Sequence, residues 1–284
     1  MRINMSIICF MLLVVTSGIA SAKQLVAPTL RYVDAKEASR DAQIIDTRAL
    51  AMCQQRSIVG AHCLPASDLF GPGGVLPSFV DIYWALGTAG ISAHRRVLVT
   101  GDQARERDFV AGLLYLCGQA SIQVLTTPID AVLQKNRWPS GQGQPRGNFR
   151  LSVYDATMRD ELIVFPTELA HALTNHKAVV PIDGRNLSIH RGDEYLAGHI
   201  PGAMQLPRAY LNRTGSHLRL TAISKETTPA KHRYFVAYAH VPMDSIALFT
   251  RLRADEINQR VDIRVMPAGW QGWTSSRRKA NIND

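Results

Sequence analysis

The chain has 284 residues, 46% of them hydrophobic and 19% charged, a balance that belongs to a folded globular protein and excludes a disordered or fibrous one. Its 32 Lys and Arg against 23 Asp and Glu give a net charge of +9. These charges are scattered with no run of five, so the excess permits an anionic partner surface without calling for nucleic acid.

The first predicted element is an address. Arg2 precedes an apolar run from Ile7 to Val15, and Ala20-Ser21-Ala22 closes the segment. A positive start, an apolar stretch too short to span a bilayer and an Ala-x-Ala end predict a secretory signal peptide over residues 1–22, cleaved after Ala22. The expected location is therefore periplasmic or secreted. No later stretch is apolar for long enough to span a bilayer, so no membrane span is expected in the mature chain. Three cysteines remain: Cys53, Cys63 and Cys117. In an exported chain an odd count leaves at least one thiol without an intramolecular partner. Cys53 and Cys63 are candidates for a disulfide. Cys117 ends an apolar helical stretch and reads as a buried, inert thiol.

Beyond the address the sequence repeats itself. Ala42 to Arg48 and Val179 to Arg185 are short apolar strands that each end in Asp-x-Arg. Next come Ile58–Pro65 and Ile200–Pro207, with Gly60-Ala61 and Gly202-Ala203 at matching places, where the glycines predict sharp turns. Buried strands follow over 96–100 and 234–238, then amphipathic helices over 108–117 and 245–254, then last strands at Ile122–Leu125 and Asp262–Val265. The Asp-x-Arg pairs lie 137 residues apart and the Gly-Ala pairs 142. Alternating short strands and helices predict an α/β fold with a mainly parallel sheet flanked by helices in each unit. The units span 23–137 and 161–276. A Gly-, Pro- and Gln-rich stretch predicts a linker over 138–160, and residues 277–284 form a tail.

In the second unit, Asp183-x-Arg185, Tyr195-x-x-Gly198-His199-Ile200-Pro201-Gly202-Ala203 and Ala268-Gly269-Trp270-x-x-Trp273 together resemble a rhodanese domain. The first unit is a worn copy. It keeps Asp46-x-Arg48, Gly60-Ala61-x-x-Leu64-Pro65 and Leu86 to Ile91, but lacks the Gly-His-Ile-Pro part. It carries Thr127-Pro128 and Leu133 where the second copy has its glycine and closing Trp. The arrangement is similar to the tandem-domain thiosulfate and mercaptopyruvate sulfurtransferases, and implies two tandem rhodanese-like domains.

That resemblance implies a cysteine directly after each central strand, opening a loop into a helix. Its thiolate would accept a sulfane sulfur, with backbone N–H groups and the helix N-terminus lowering the thiol pKa. The position falls on Gly101 in the first copy and on Ala239 in the second. Neither residue can form a persulfide, and Ser245 reads as a helix cap. The expectation is a binding or accessory module without sulfurtransferase activity. One rival is an active sulfurtransferase using Cys63; another is a structural partner in a cell-envelope complex. The loop and helix start could still attract an anion, with Arg105, Arg107, Arg185 and His240 as candidates. Arg48 and Arg185 otherwise read as scaffold. Expected partners are a small anion or an envelope protein, with no cofactor. No metal is expected: His171 and His176 are five apart, which is wrong for one helix face, and no nucleotide-binding or zinc motif occurs.

Overall fold

Strands with apolar residues on both faces must be covered on both sides, which is the setting of a parallel sheet. In the computed structural model of the chain, residues 28–135, 137–175, 178–185, 198–206, 217, 218, 220, 234–255 and 258–283 are described. The signal segment 1–22, Tyr195 and His176 lie outside them. The described strands of the first unit are β1 (Thr29–Val33), β2 (Gln43–Asp46), β3 (Ser57–Ile58), β4 (His62–Cys63), β5 (Val97–Thr100), β6 (Ser121–Leu125) and β7 (Ser140–Gly141). Those of the second are β8 (Val179–Asp183), β9 (Met204–Gln205), β10 (Tyr234–Tyr238) and β11 (Asp262–Val265). The helices are α1 (Leu50–Gln55), α2 (Phe79–Thr88), α3 (Ala104–Leu116), α4 (Ile129–Gln134), α5 (Pro166–Thr174), α6 (Pro242–Arg253) and α7 (Gly269–Asn283).

The first sheet runs in the order β1-β6-β5-β2-β4 and the second in the order β11-β10-β8-β9, with every pairing parallel. The two orders correspond: last strand, central strand, Asp-bearing strand, edge. Every residue of β2 and of β5 is buried, as both-face coverage requires. In the second sheet, the place that β1 takes beside β6 is held by a single parallel bridge from Ile163 to Val265.

Two expectations need correction. Residues 138–160 are not a free linker. β7 pairs antiparallel with β3, the Trp138 indole N–H donates to the Ala35 carbonyl at 3.1 Å, and the buried Tyr154 hydroxyl donates to Gln119 at 3.1 Å. Anchoring side chains override a composition that favours flexibility. The two helices also begin earlier than their apolar stretches, at Ala104 and at Pro242. Pro242 at the first helical position lacks only an N–H that would have no partner there anyway.

The units meet where α3 packs on α6. Thr250 Oγ1 donates to the Asp108 carbonyl at 2.7 Å, and Arg253 Nε donates to the Tyr115 hydroxyl at 3.1 Å. The approach is close enough to need Gly112, because a Cβ there would lie 2.2 Å from Thr250 Oγ1 and 2.7 Å from Ile246. One buried cluster runs from Leu30 and Val99 through Leu113 and Ile246 to Ile182 and Val265, so the core is continuous across the junction.

Candidate functional site

The Asp-x-Arg pairs stand at the ends of β2 and β8 and do the same work twice. Asp46 Oδ1 accepts the Arg48 backbone N–H at 3.1 Å, and Asp183 Oδ1 accepts that of Arg185 at 2.9 Å. Each guanidinium returns to its carboxylate, Arg48 at 2.8 Å and Arg185 at 2.7 Å, and all four residues are buried. Burial pushes the Arg48 pKa down, but the hydrogen bond and charge of Asp46 outweigh it and leave it raised. A third partner completes each cluster: the Ser57 hydroxyl on Asp46 at 2.7 Å, and the Tyr238 hydroxyl on Asp183 at 2.6 Å. Tyr238 also accepts the Ile200 N–H, and so ties the signature turn to the strand. The spacing of the motif gave no sign of Tyr238.

The remaining signature residues are scaffold too. The Ala203 N–H donates to the Ile200 carbonyl at 2.9 Å, closing a turn with Pro201 and Gly202 at its centre. The first unit closes the same turn from Ala61 to Ile58, and Gly60 and Gly202 have φ of +78° and +71°. The Gly198 carbonyl accepts from Arg185, and His199 is exposed. The Arg185 guanidinium lies 4.2 Å from the Trp270 ring centroid, and Trp273 is buried beside Tyr238.

Gly101 and Ala239 directly follow β5 and β10, at the carboxyl ends of the two central strands, where open α/β sheets place their ligand sites. Gly101 has φ +153°, and a Cβ there would lie 2.1 Å from the Thr47 hydroxyl. Thr47 thus fills the place a cysteine side chain would need. Ala239 is fully buried. Its N–H donates to Ser245 Oγ at 3.0 Å, and its carbonyl accepts the Trp270 N–H at 2.7 Å. Ser245 is therefore not the N-cap of α6. It sits within the first turn, and its hydroxyl fastens the loop.

The candidate anion ligands are not gathered around a common point. The Arg107 side chain is buried, and its guanidinium donates to the carbonyls of Gly101, Asp102 and Thr126. Burial lowers its pKa, which a bound anion would oppose. Arg105 is ion-paired with Asp244 at the start of α6, across the junction between the units. Arg185 is held by Asp183 and Gly198. His240 is half-buried, and its carbonyl accepts the Gln271 N–H at 3.3 Å. Each of the three candidate arginines is therefore already engaged by protein partners.

No cysteine directly follows β5 or β10. Cys53 of α1 and Cys63 of β4 form a disulfide with a Cα–Cα distance of 5.8 Å, and both are buried. This corrects the reading of Cys63 as a displaced nucleophile, because its sulfur is bonded and holds no thiolate. Cys117 is a free cysteine, fully buried, and burial pushes its pKa far up. Among the described residues, no group of three or more His, Cys, Asp or Glu could hold a metal ion. No described helix is long and apolar enough to cross a membrane.

Comparison with known proteins places this geometry. The rhodanese-like domain family matches residues 165–276. A search of curated protein sequences gives no match. Among solved structures, SseA from Escherichia coli, described as a 3-mercaptopyruvate sulfotransferase with the rhodanese fold, is similar at 20% identity, with TM-score 0.64 over 85% of this chain and 99% of that one. Tum1 from Saccharomyces cerevisiae is similar at 14% identity, with TM-score 0.66 over 88% and 96%. The 3-mercaptopyruvate sulfurtransferase from Leishmania major gives 14% identity, with TM-score 0.62 over 89% and 77%. At such identities these likenesses speak for the fold alone. Residues 165–276 match the rhodanese-like domain family, and the fold of the chain is that of the rhodanese and 3-mercaptopyruvate sulfurtransferase structures.

Proposed function

We propose that this chain is an exported rhodanese-like protein that does not transfer sulfur and serves as a binding or accessory module, its first unit being a diverged copy of the second. The observation that carries the reading is the lack of a thiol at either strand end. Sulfane sulfur transfer of the kind the family resemblance implies needs a thiolate to hold the persulfide. Glycine at 101 is enforced by backbone angle and by Thr47, and Ala239 is sealed by Ser245 and the start of α7. The bonded Cys63 and the buried Cys117 offer no substitute.

Export is supported by the signal-like N-terminus and by the buried Cys53–Cys63 bond, since structural disulfides persist in oxidising compartments. A protein partner is favoured over a small anion, because the candidate arginines are already paired. An apolar patch is also left in water. Val80 and Trp84 lie one turn apart on α2, and the extended segment with Phe149 and Leu151 crosses the same helix at Gly87. The Arg150 guanidinium lies 5.0 Å from the Trp84 ring centroid among these exposed apolar side chains, a grouping of the kind found at interaction sites.

The test is a thiosulfate:cyanide assay, and a mercaptopyruvate assay, on the chain from residue 23 onward. Neither should exceed a protein-free blank. Turnover that disappears in Cys63→Ser or Cys117→Ser would overturn the reading.

A further inference from the structure

A cavity of about 600 Å³ lies beside the loop from Ala239 to Ser245, between α2, α3 and the first turns of α6 and α7. Its floor is apolar: Ile82 of α2, Leu113 and Leu116 of α3, and Ile246 of α6. The segment 73–79 forms one wall, and Phe165 with Pro267-Ala268 forms the other. Both units therefore build it. Ala239 itself is not among its lining residues, but the cavity adjoins that loop through Pro242 and through Gln271, whose N–H donates to the His240 carbonyl.

Among the described residues, the lining holds no Asp, Glu, Lys, Arg or His. Its polar side chains are Ser78, Gln271 and Ser275. Ser78 is already engaged with Asp81, while Gln271 and Ser275 are exposed and stand at the mouth. A charged group entering such a space would lose its hydration and find no counter-charge, whereas an apolar body would lose nothing. Val75 and Phe165 line the same space and are 58% and 62% exposed, so an occupant would cover apolar side chains now in water. The volume falls within the range of small-molecule sites, roughly 300 to 1,000 Å³.

We propose that this inter-unit cavity binds an uncharged, largely apolar small molecule, carrying at most a neutral polar group directed at Gln271 and Ser275 in the mouth. The proposal does not depend on whether the loops transfer sulfur. The test is a fluorescence titration of the chain from residue 23 with neutral N-phenyl-1-naphthylamine, alongside its anionic relative 1-anilinonaphthalene-8-sulfonate. Saturable one-to-one binding of the neutral dye is expected, with the anionic dye weaker by about tenfold or more. Val75→Asp puts a carboxylate in the wall at an exposed position, and Ala268→Trp fills the space. Each should weaken the neutral dye by about tenfold or more. Val80→Asp, outside the cavity on the exposed face of α2, should leave it unchanged. Absence of saturable binding, equal binding of the two dyes, or a Val80→Asp effect as large as that of Val75→Asp would overturn the proposal; the last would place the dye on the Trp84 patch instead.

Discussion

Asp108 should make the junction between the units sensitive to pH. It lies on α3 against α6, buried, with its carboxylate accepting the Tyr32 hydroxyl at 2.8 Å. Burial pushes its pKa up to about 7, although the Tyr32 hydrogen bond and the charges of Arg251 and Arg107 pull it down. Tyr32 stays protonated throughout, because burial raises its own pKa as well. An unperturbed aspartate titrates near 3.8, so the folded chain holds one proton more than the unfolded chain between about pH 4 and pH 7. A group whose folded pKa is raised gives stability that is fully present below the unfolded value and lost as pH rises through the folded one. A shift of about three units at 1.36 kcal/mol each sets a ceiling of about 4 kcal/mol, of which roughly 3 kcal/mol should disappear between pH 5 and pH 8. Asp108→Asn keeps an acceptor for Tyr32 and cannot ionise. Urea unfolding at pH 5, 6, 7 and 8 should therefore show the gap between wild type and Asp108→Asn shifting by about that amount in favour of the variant as pH rises. Every other titrating group is common to both chains and cancels. Parallel pH profiles would refute the reasoning, as would a gap that moves the other way.

Further perturbations test the rest of the architecture. Reducing the Cys53–Cys63 bond, with a sequence separation of 10, or replacing Cys53 by Ser, should cost on the order of 3 kcal/mol, seen as a lower melting temperature in both cases. Gly112→Ala should destabilise by about 1–3 kcal/mol in denaturant melts, because its Cβ would overlap Thr250 Oγ1 and Ile246; Thr250→Ala in the same chain should recover part of that loss. Gly101→Cys should cost on the order of 3 kcal/mol through backbone strain and the clash with Thr47. Ala239→Cys meets no such backbone penalty, but its thiol should react with iodoacetate about tenfold or more slowly than free cysteine, since the position is fully buried. A fast reaction would mean that the loop opens.

The parts of the fold that declare themselves in the sequence are those with a local cause. β2, β5 and β10 are apolar because both faces are covered, and the Gly202 turn closes within four residues. The Asp-x-Arg pairs are legible because each carboxylate bonds a residue two positions on. What stayed hidden depends on distant partners. β1 has no such local sign: its Arg31 and Tyr32 break the apolar run, and its partner β6 is 92 residues away. Arg105 and Asp244 are 139 residues apart, so no spacing shows that each neutralises the other. Arg107 read as a free cation because charged side chains are mostly exposed. Its burial follows from three backbone carbonyls that only the folded loop presents. Residues 138–160 read as a spacer, because composition reports chain stiffness and not whether Trp138 and Tyr154 find a place in the core.

The continuous core at the contact of α3 and α6 decides how the chain can be divided. Cutting it near residue 150 would leave Phe249 and Ile246 facing water on one fragment and Leu113 and Tyr115 on the other, together with the now buried side chains of Asp108 and Arg251. Neither half would then be a self-sufficient module, and a calorimetric scan of the whole chain should give a single endotherm. Excised pieces are thus the wrong reagents for studying this protein. The smallest unit that can be mutated, titrated or exchanged between homologues without collapse is the pair.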